Sequence, residues 1–156
     1  NGIMNDRQFL ERAIEKAKES VAQGGFLAGA VVVKNGEIVG EGISVGNKLN
    51  DPTSHGEMSS IREACKNLKT SDLSGSVLYA SMQPCLMCFS ASMWSSISKI
   101  VFACSKDKIS DSYYGGHYQI SKINSEFIHP IELVHFSELE RDSLEVVREW
   151  EKTLAS

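Results

Sequence analysis

His55 and Glu57 place an imidazole and a carboxylate two positions apart, and the stretch Pro84-Cys85-Leu86-Met87-Cys88, whose first cysteine lies 28 residues after that glutamate, sets two thiols three positions apart. Imidazole nitrogen and thiolate sulfur are ligands zinc prefers, and a catalytic zinc site keeps three protein ligands so that the fourth position can hold water. His55, Cys85 and Cys88 supply three. Glu57 is then left free to carry protons. A bound zinc lowers the pKa of its water to about 7, so a neighbouring carboxylate can take the proton and pass it to a leaving group. The set suits hydrolysis.

Both halves sit where a helix should start. Met58, Ile61, Ala64, Cys65 and Leu68 recur at helical spacing and predict a helix over 55–68, with candidate caps in Asp51-Pro52-Thr53-Ser54 just before it. A second helix is predicted over 86–95. Pro84 precedes it where a missing N–H costs nothing, and Cys85 and Cys88 share one face. The positive end of a helix favours thiolates, so two helix starts can point at one ion. Around them, Phe9, Leu10, Ala13, Ile14, Ala17 and Val21 predict a first helix that Gly24-Gly25 stops. Asn35-Gly36 between two apolar runs predicts a hairpin. Residues 76–82, 98–104 and 130–136 read as further strands. The 106–128 stretch is the least legible, with a short helix expected near 118–124. A last amphipathic helix is expected after Ser137, with Glu140 completing a capping box. The sum is an α/β chain: a mixed sheet of about five strands with helices on both sides.

At 156 residues the chain suits one domain over 1–156, with Asn1-Gly2-Ile3 ahead of Met4 read as an expression remnant. No apolar run approaches the ~20 residues of a membrane helix, and no export signal is seen, so a cytoplasmic protein with reduced thiols is expected. The formal charge of −4 disfavours a long nucleic-acid partner, although Lys99, Lys106, Lys108 and Lys122 could still gather on one face.

"NDPTSHGE" together with "PCLMC" resembles the zinc-dependent cytidine deaminase superfamily. The likeness extends over about 5–153 and is strongest to the branch holding guanine deaminases, fungal-type cytosine deaminases and bacterial tRNA adenosine deaminases. It implies a three-layer α/β/α sandwich, one zinc per chain, a homodimer or higher oligomer, and hydrolytic release of ammonia from a heterocyclic amine. Carried across, His55, Cys85 and Cys88 are the zinc ligands, Glu57 is the proton shuttle, and the Cys85 N–H helps hold the reacting group. Guanine is the first candidate substrate and cytosine the second, with tRNA adenosine as an alternative. Three positions depart from the branch pattern: Ser44 stands where an asparagine is usual, with Asn47 three residues on; Gln83 replaces a glutamate; and Leu27 replaces a proline. Candidate substrate contacts are Phe26, Ser44, Asn47, Gly56, Tyr113, Tyr114 and His117, with Trp94 as a further stacking ring. The "SYYGGHY" segment could act as a lid.

Blander readings stand beside these. A lone C-x-x-C also serves structural zinc half-sites and redox pairs, but Cys65 and Cys104, 39 residues apart, make no second pair, and a redox motif needs no H-x-E. Both outlying cysteines are expected to be plain buried thiols, and His129 and His135 to be structural. Another function class is a catalytically silent zinc protein that partners an active subunit. The intact Glu57 argues against it.

Overall fold

A computed structural model describes residues 2–154. Helix α1 (Gly2–Ala22) leads into a hairpin of β1 (Gly29–Lys34) and β2 (Glu37–Ile43), followed by a single turn of helix, α2 (Gly46–Leu49), and by α3 (Gly56–Leu68). Then come β3 (Val77–Met82), α4 (Leu86–Trp94), β4 (Lys99–Cys104), α5 (Ile120–Ser125), β5 (Glu132–His135) and α6 (Glu140–Leu154). The five strands form one sheet in the order β2-β1-β3-β4-β5. Strand β1 is antiparallel to both neighbours, whereas β3, β4 and β5 run parallel. Parallel pairing follows from the helical crossovers α4 and α5, since a tight turn can join only antiparallel strands. The hairpin turn has Asn35 and Gly36 at φ 53° and 77°, the two positive values a type I′ turn needs.

Alternation along the strands divides the core into two layers of contact. Ala30 and Val32 of β1 join Leu78, Ala80, Ile100 and Phe102 against Ile61 and Ala64 of α3, Phe89 of α4 and Ile120 of α5. Val31 and Val33 turn the other way, with Tyr79 and Val101, onto Leu10, Ala13, Ile14 and Ala17 of α1 and Val146 of α6. This is the expected three-layer α/β/α sandwich. Among the described residues no helix is long and apolar enough to cross a membrane.

One local expectation came out differently, while the short helix expected near 118–124 is α5. Glu140 does not fold back to close a capping box on Ser137; its Oε2 accepts instead from the Ser105 N–H at 2.8 Å and bonds His135 Nε2 at 2.9 Å, because a turn of 3₁₀ helix at Ser137–Leu139 precedes α6. The opaque stretch after β4 holds two further 3₁₀ turns, Lys106–Lys108 and Asp111–Tyr113. Ser105 caps the first turn and Ser110 the second, each accepting from the N–H two residues on.

Topology fixes where chemistry can sit. Because β1 opposes β3, the start of β1, the end of β2 and the ends of β3 and β4 meet at one edge, as the pairings Gly29 with Ile43 and Met82 with Cys104 record. Ligands of open α/β sheets bind outside the carboxyl ends of such parallel strands.

Candidate active site

His55 and Cys85 occupy equivalent places in two helices. Each is the N-cap, with extended backbone (φ −79°, ψ 162° and φ −73°, ψ 172°), and each carbonyl accepts the first helical hydrogen bond, from Ser59 and Phe89. The chain is steered into His55 by a local turn. Asp51 Oδ1 accepts from both the N–H and the hydroxyl of Thr53, at 2.9 and 2.7 Å, and Arg62 donates to that same hydroxyl at 2.6 Å. Close packing sets the depth of α3. A Cβ on Gly42 would lie 2.2 Å from the Gly56 carbonyl oxygen, so β2 reaches this helix only because glycine stands there. Gly56 itself lies buried against the backbone of Ala28 and Gly29, close enough that a side chain would crowd them.

His55 Nδ1 lies 3.6 Å from both Cys85 Sγ and Cys88 Sγ. Ligand bonds of about 2.05 Å to nitrogen and 2.3 Å to sulfur at a tetrahedral angle require a spacing of roughly 3.6 Å. Three donors of the right kind, with ligand atoms all within 4.8 Å of one another, can therefore hold one zinc ion. Beside them Glu57 is 5% exposed, and its Oε1 is buried with no hydrogen-bond partner. An unpaired buried carboxylate oxygen is costly and calls for a partner such as an ion-bound water. Burial first, and the nearby Cys85 second, push the Glu57 carboxyl up to about 7. The thiols share their protons unequally: Cys85, receiving hydrogen bonds from Cys88 and His55, is held well below an ordinary thiol, and Cys88 as donor is held above it.

His55 opens onto a pocket of about 540 Å³ lined also by Phe26, Ser44, Gly46, Asn47, Asn50, Asp51, Pro52, Ser112 and Tyr113. Phe26, Tyr113 and Trp150 of α6 meet edge to face with centroids 4.9–5.7 Å apart, and the Tyr113 hydroxyl donates to Glu151 at 2.5 Å. Of the seven expected substrate contacts, Phe26, Ser44, Asn47 and Tyr113 line this pocket. Tyr114 is 7% exposed and donates to the Gln83 carbonyl at 2.8 Å. The His117 side chain, 88% exposed and bonded to Asp111, lines a separate depression with Lys106 and Gln119. Trp94 sits at the outer end of α4 beside Phe127 and Ile128. The departures Leu27 and Gln83 are structural neighbours of the site. Leu27 packs with Tyr114 and Met82, and Gln83 Oε1 accepts from the Lys106 N–H at 2.9 Å. Gly46, Asn50, Asp51 and Pro52 were not anticipated as lining residues, Ser112 only as part of the "SYYGGHY" segment, and Trp150 not as a buttress, because helical spacing marks it only as part of a buried face.

The sheet order, the two capped helices and the donor triangle define a zinc-dependent deaminase fold. The sequence profile described as the cytidine and deoxycytidylate deaminase zinc-binding region matches residues 3–104, and the chain belongs to that family. It is 37% identical to a tRNA-specific adenosine deaminase of Aquifex aeolicus over 123 residues, 79% of this chain and 78% of that one. It is 43% identical to a guanine deaminase of Bacillus subtilis over 101 residues, 64% of this chain and 65% of the relative. A solved structure from a study of A-to-I editing by tRNA:A34 deaminases superposes with a TM-score of 0.78 at 26% identity, covering 90% of this chain and 99% of that one.

Proposed function

We propose that this protein hydrolytically deaminates a small, unphosphorylated heterocyclic amine, a free nucleobase or nucleoside, with guanine the first candidate and cytosine the second. The lining of the pocket carries this reading. Phe26 and Tyr113 offer rings, Ser44, Asn47, Asn50 and Ser112 offer neutral hydrogen-bonding groups, and Asp51 is the one carboxylate; neither lysine nor arginine is among them. A nucleotide or a tRNA backbone presents anionic oxygens that cationic side chains normally neutralise. A base or nucleoside needs stacking and neutral hydrogen bonds, and a pocket of this size is usual for a small molecule.

In this reading His55, Cys85 and Cys88 hold zinc, which when bound brings the pKa of a water down towards neutrality. Glu57 moves the protons. Its buried Oε1 takes one from the attacking water, supplies a ring nitrogen, and then serves the departing nitrogen, so that an amine and a water become a carbonyl and ammonia. The Cys85 N–H precedes the helical ladder and is free to face the reacting group. Phe26 and Tyr113 guide the ring, and Ser44 and Asn47 read its polar edge. The cytoplasm suits a site whose thiols must stay reduced.

The test is ammonia release, with zinc measured in the same sample, over guanine, cytosine, adenine, their nucleosides and a tRNA anticodon stem-loop. Turnover of a base or nucleoside is expected. A stem-loop processed far faster would move the site to tRNA adenosine, the reading that the Aquifex relative supports. Bound zinc without ammonia from any of these would leave the silent partner role. We further propose a homodimer, because α4 leaves Leu86 40% and Trp94 80% exposed. Sedimentation should give twice the chain mass, and Trp94→Asp should halve it; a monomeric parent would reject this.

A further inference from the structure

We propose that Lys106 is a positioning residue for the Pro84-Cys85 turn, acting through Tyr114 and Tyr118; its link to zinc rests on the reading above. The Lys106 side chain is 6% exposed, and Nζ lies 2.9 Å from Asp111 Oδ1. The same nitrogen sits 5.3 Å from the Tyr114 ring centroid and 5.2 Å from that of Tyr118. A buried ammonium needs a carboxylate and further partners to offset its lost hydration, and ring faces supply them only when the cation lies over them. The cation therefore fixes where both rings lie.

Both phenol oxygens then reach the metal-bearing turn, one on each side. The Tyr114 hydroxyl donates to the Gln83 carbonyl at 2.8 Å. The Tyr118 oxygen accepts the Leu86 N–H at 2.9 Å while donating to the Tyr114 carbonyl at 2.8 Å. Lys106 adds its own N–H to Gln83 Oε1 at 2.9 Å. Gln83 and Leu86 flank Pro84-Cys85, so two hydrogen bonds from the rings that the buried cation holds, with a third from the Lys106 backbone, bracket the residue whose Sγ must stand 3.6 Å from His55 Nδ1. The Leu86 N–H belongs to the first turn of α4, where the helix leaves donors over, and Tyr118 supplies the acceptor from 32 residues away. Groups that orient metal ligands in this way are worth about 10–100-fold in metal affinity.

Lys106→Met, Lys106→Arg and Tyr118→Phe in the full chain test this, read by NMR amide exchange at Leu86 in metal-free and zinc-loaded protein, and by zinc competition with a chromophoric chelator. Lys106→Met is expected to speed Leu86 exchange about tenfold or more and to weaken zinc by about 10–100-fold. Lys106→Arg should restore most of both, because a cation still lies over the rings. Tyr118→Phe should speed Leu86 exchange while leaving the Lys106–Asp111 pair intact. A folded Lys106→Met protein with parental Leu86 exchange and parental zinc affinity overturns the proposal. Should Lys106→Met fail to fold, Tyr118→Phe decides, and parental exchange there overturns it equally. A parent that binds no zinc would instead sink the deaminase reading, and exchange in the metal-free protein would still judge the role of Lys106.

Discussion

Glu57 joins two properties seldom found in one carboxylate: it is buried, and one of its oxygens has no partner. A group placed that way for proton transfer contributes about 10²–10⁴-fold to turnover. Glu57→Ala is expected to lower ammonia release by that factor with zinc content unchanged, and a loss of only a few-fold would remove it from the reaction. Cys85→Ser should instead lose zinc and activity together, and a strong chelator should abolish parental turnover until zinc is returned. At this scale the Cys85–Cys88 pairing was legible because residues at i and i+3 share a face in any fold, whereas His55, 30 residues before Cys85, was joined to them through zinc's choice of ligands and the family resemblance. The pocket wall was less so. Tyr113 and Tyr114 are adjacent and chemically alike, yet one lines the pocket and the other bonds Gln83 beneath it. Their order of facing depends on a 3₁₀ turn at Asp111–Tyr113 that no periodicity announces.

At the scale of elements, the distance between β2 and α3 sets where His55 and Glu57 stand. Gly42→Ala would drive a methyl into the Gly56 carbonyl, and overpacking of this kind costs about 1–3 kcal/mol. We expect a lower melting temperature and weaker zinc binding together; a parental melt would mean that β2 can yield. On the opposite layer, Arg12 of α1 grips Glu41 of β2 through two hydrogen bonds at 2.7 and 3.0 Å. That grip holds the Glu41 carboxyl below its usual 4.5. The folded value is the depressed one, so the contribution is full above the unfolded value and is lost as pH falls through the folded one. Both side chains are partly exposed, so Arg12→Met should cost no more than about 1 kcal/mol at neutral pH. The difference should shrink towards zero in strong acid, and a gap in melting temperature that persists there would show that packing, not charge, is responsible.

For the whole molecule, the edge where the ends of β2, β3 and β4 meet the start of β1 gathers residues that are far apart in the chain: Phe26, Ser44, His55, Cys85, Tyr113 and Trp150. The sequence by itself determined the elements with strong local periodicity, the Asn35-Gly36 turn and the three-layer α/β/α class, and it named the candidate set His55, Cys85, Cys88 and Glu57. The elements, the turn and the His55–Glu57 and Cys85–Cys88 pairs each depend on residues within a turn or two of one another, where backbone geometry dictates which side chains are neighbours; the sandwich class and the joining of the two pairs, 30 residues apart, came from element order and the family resemblance. Only the tertiary structure decided that Asn50, Asp51 and Ser112 share a wall with Ser44, that Trp150 braces Phe26 and Tyr113, and that Lys106 is buried with its ammonium over two tyrosine rings. Those relations are set by strand order and crossover, and by the desolvation of a cation that, read as sequence alone, looks like one more surface lysine.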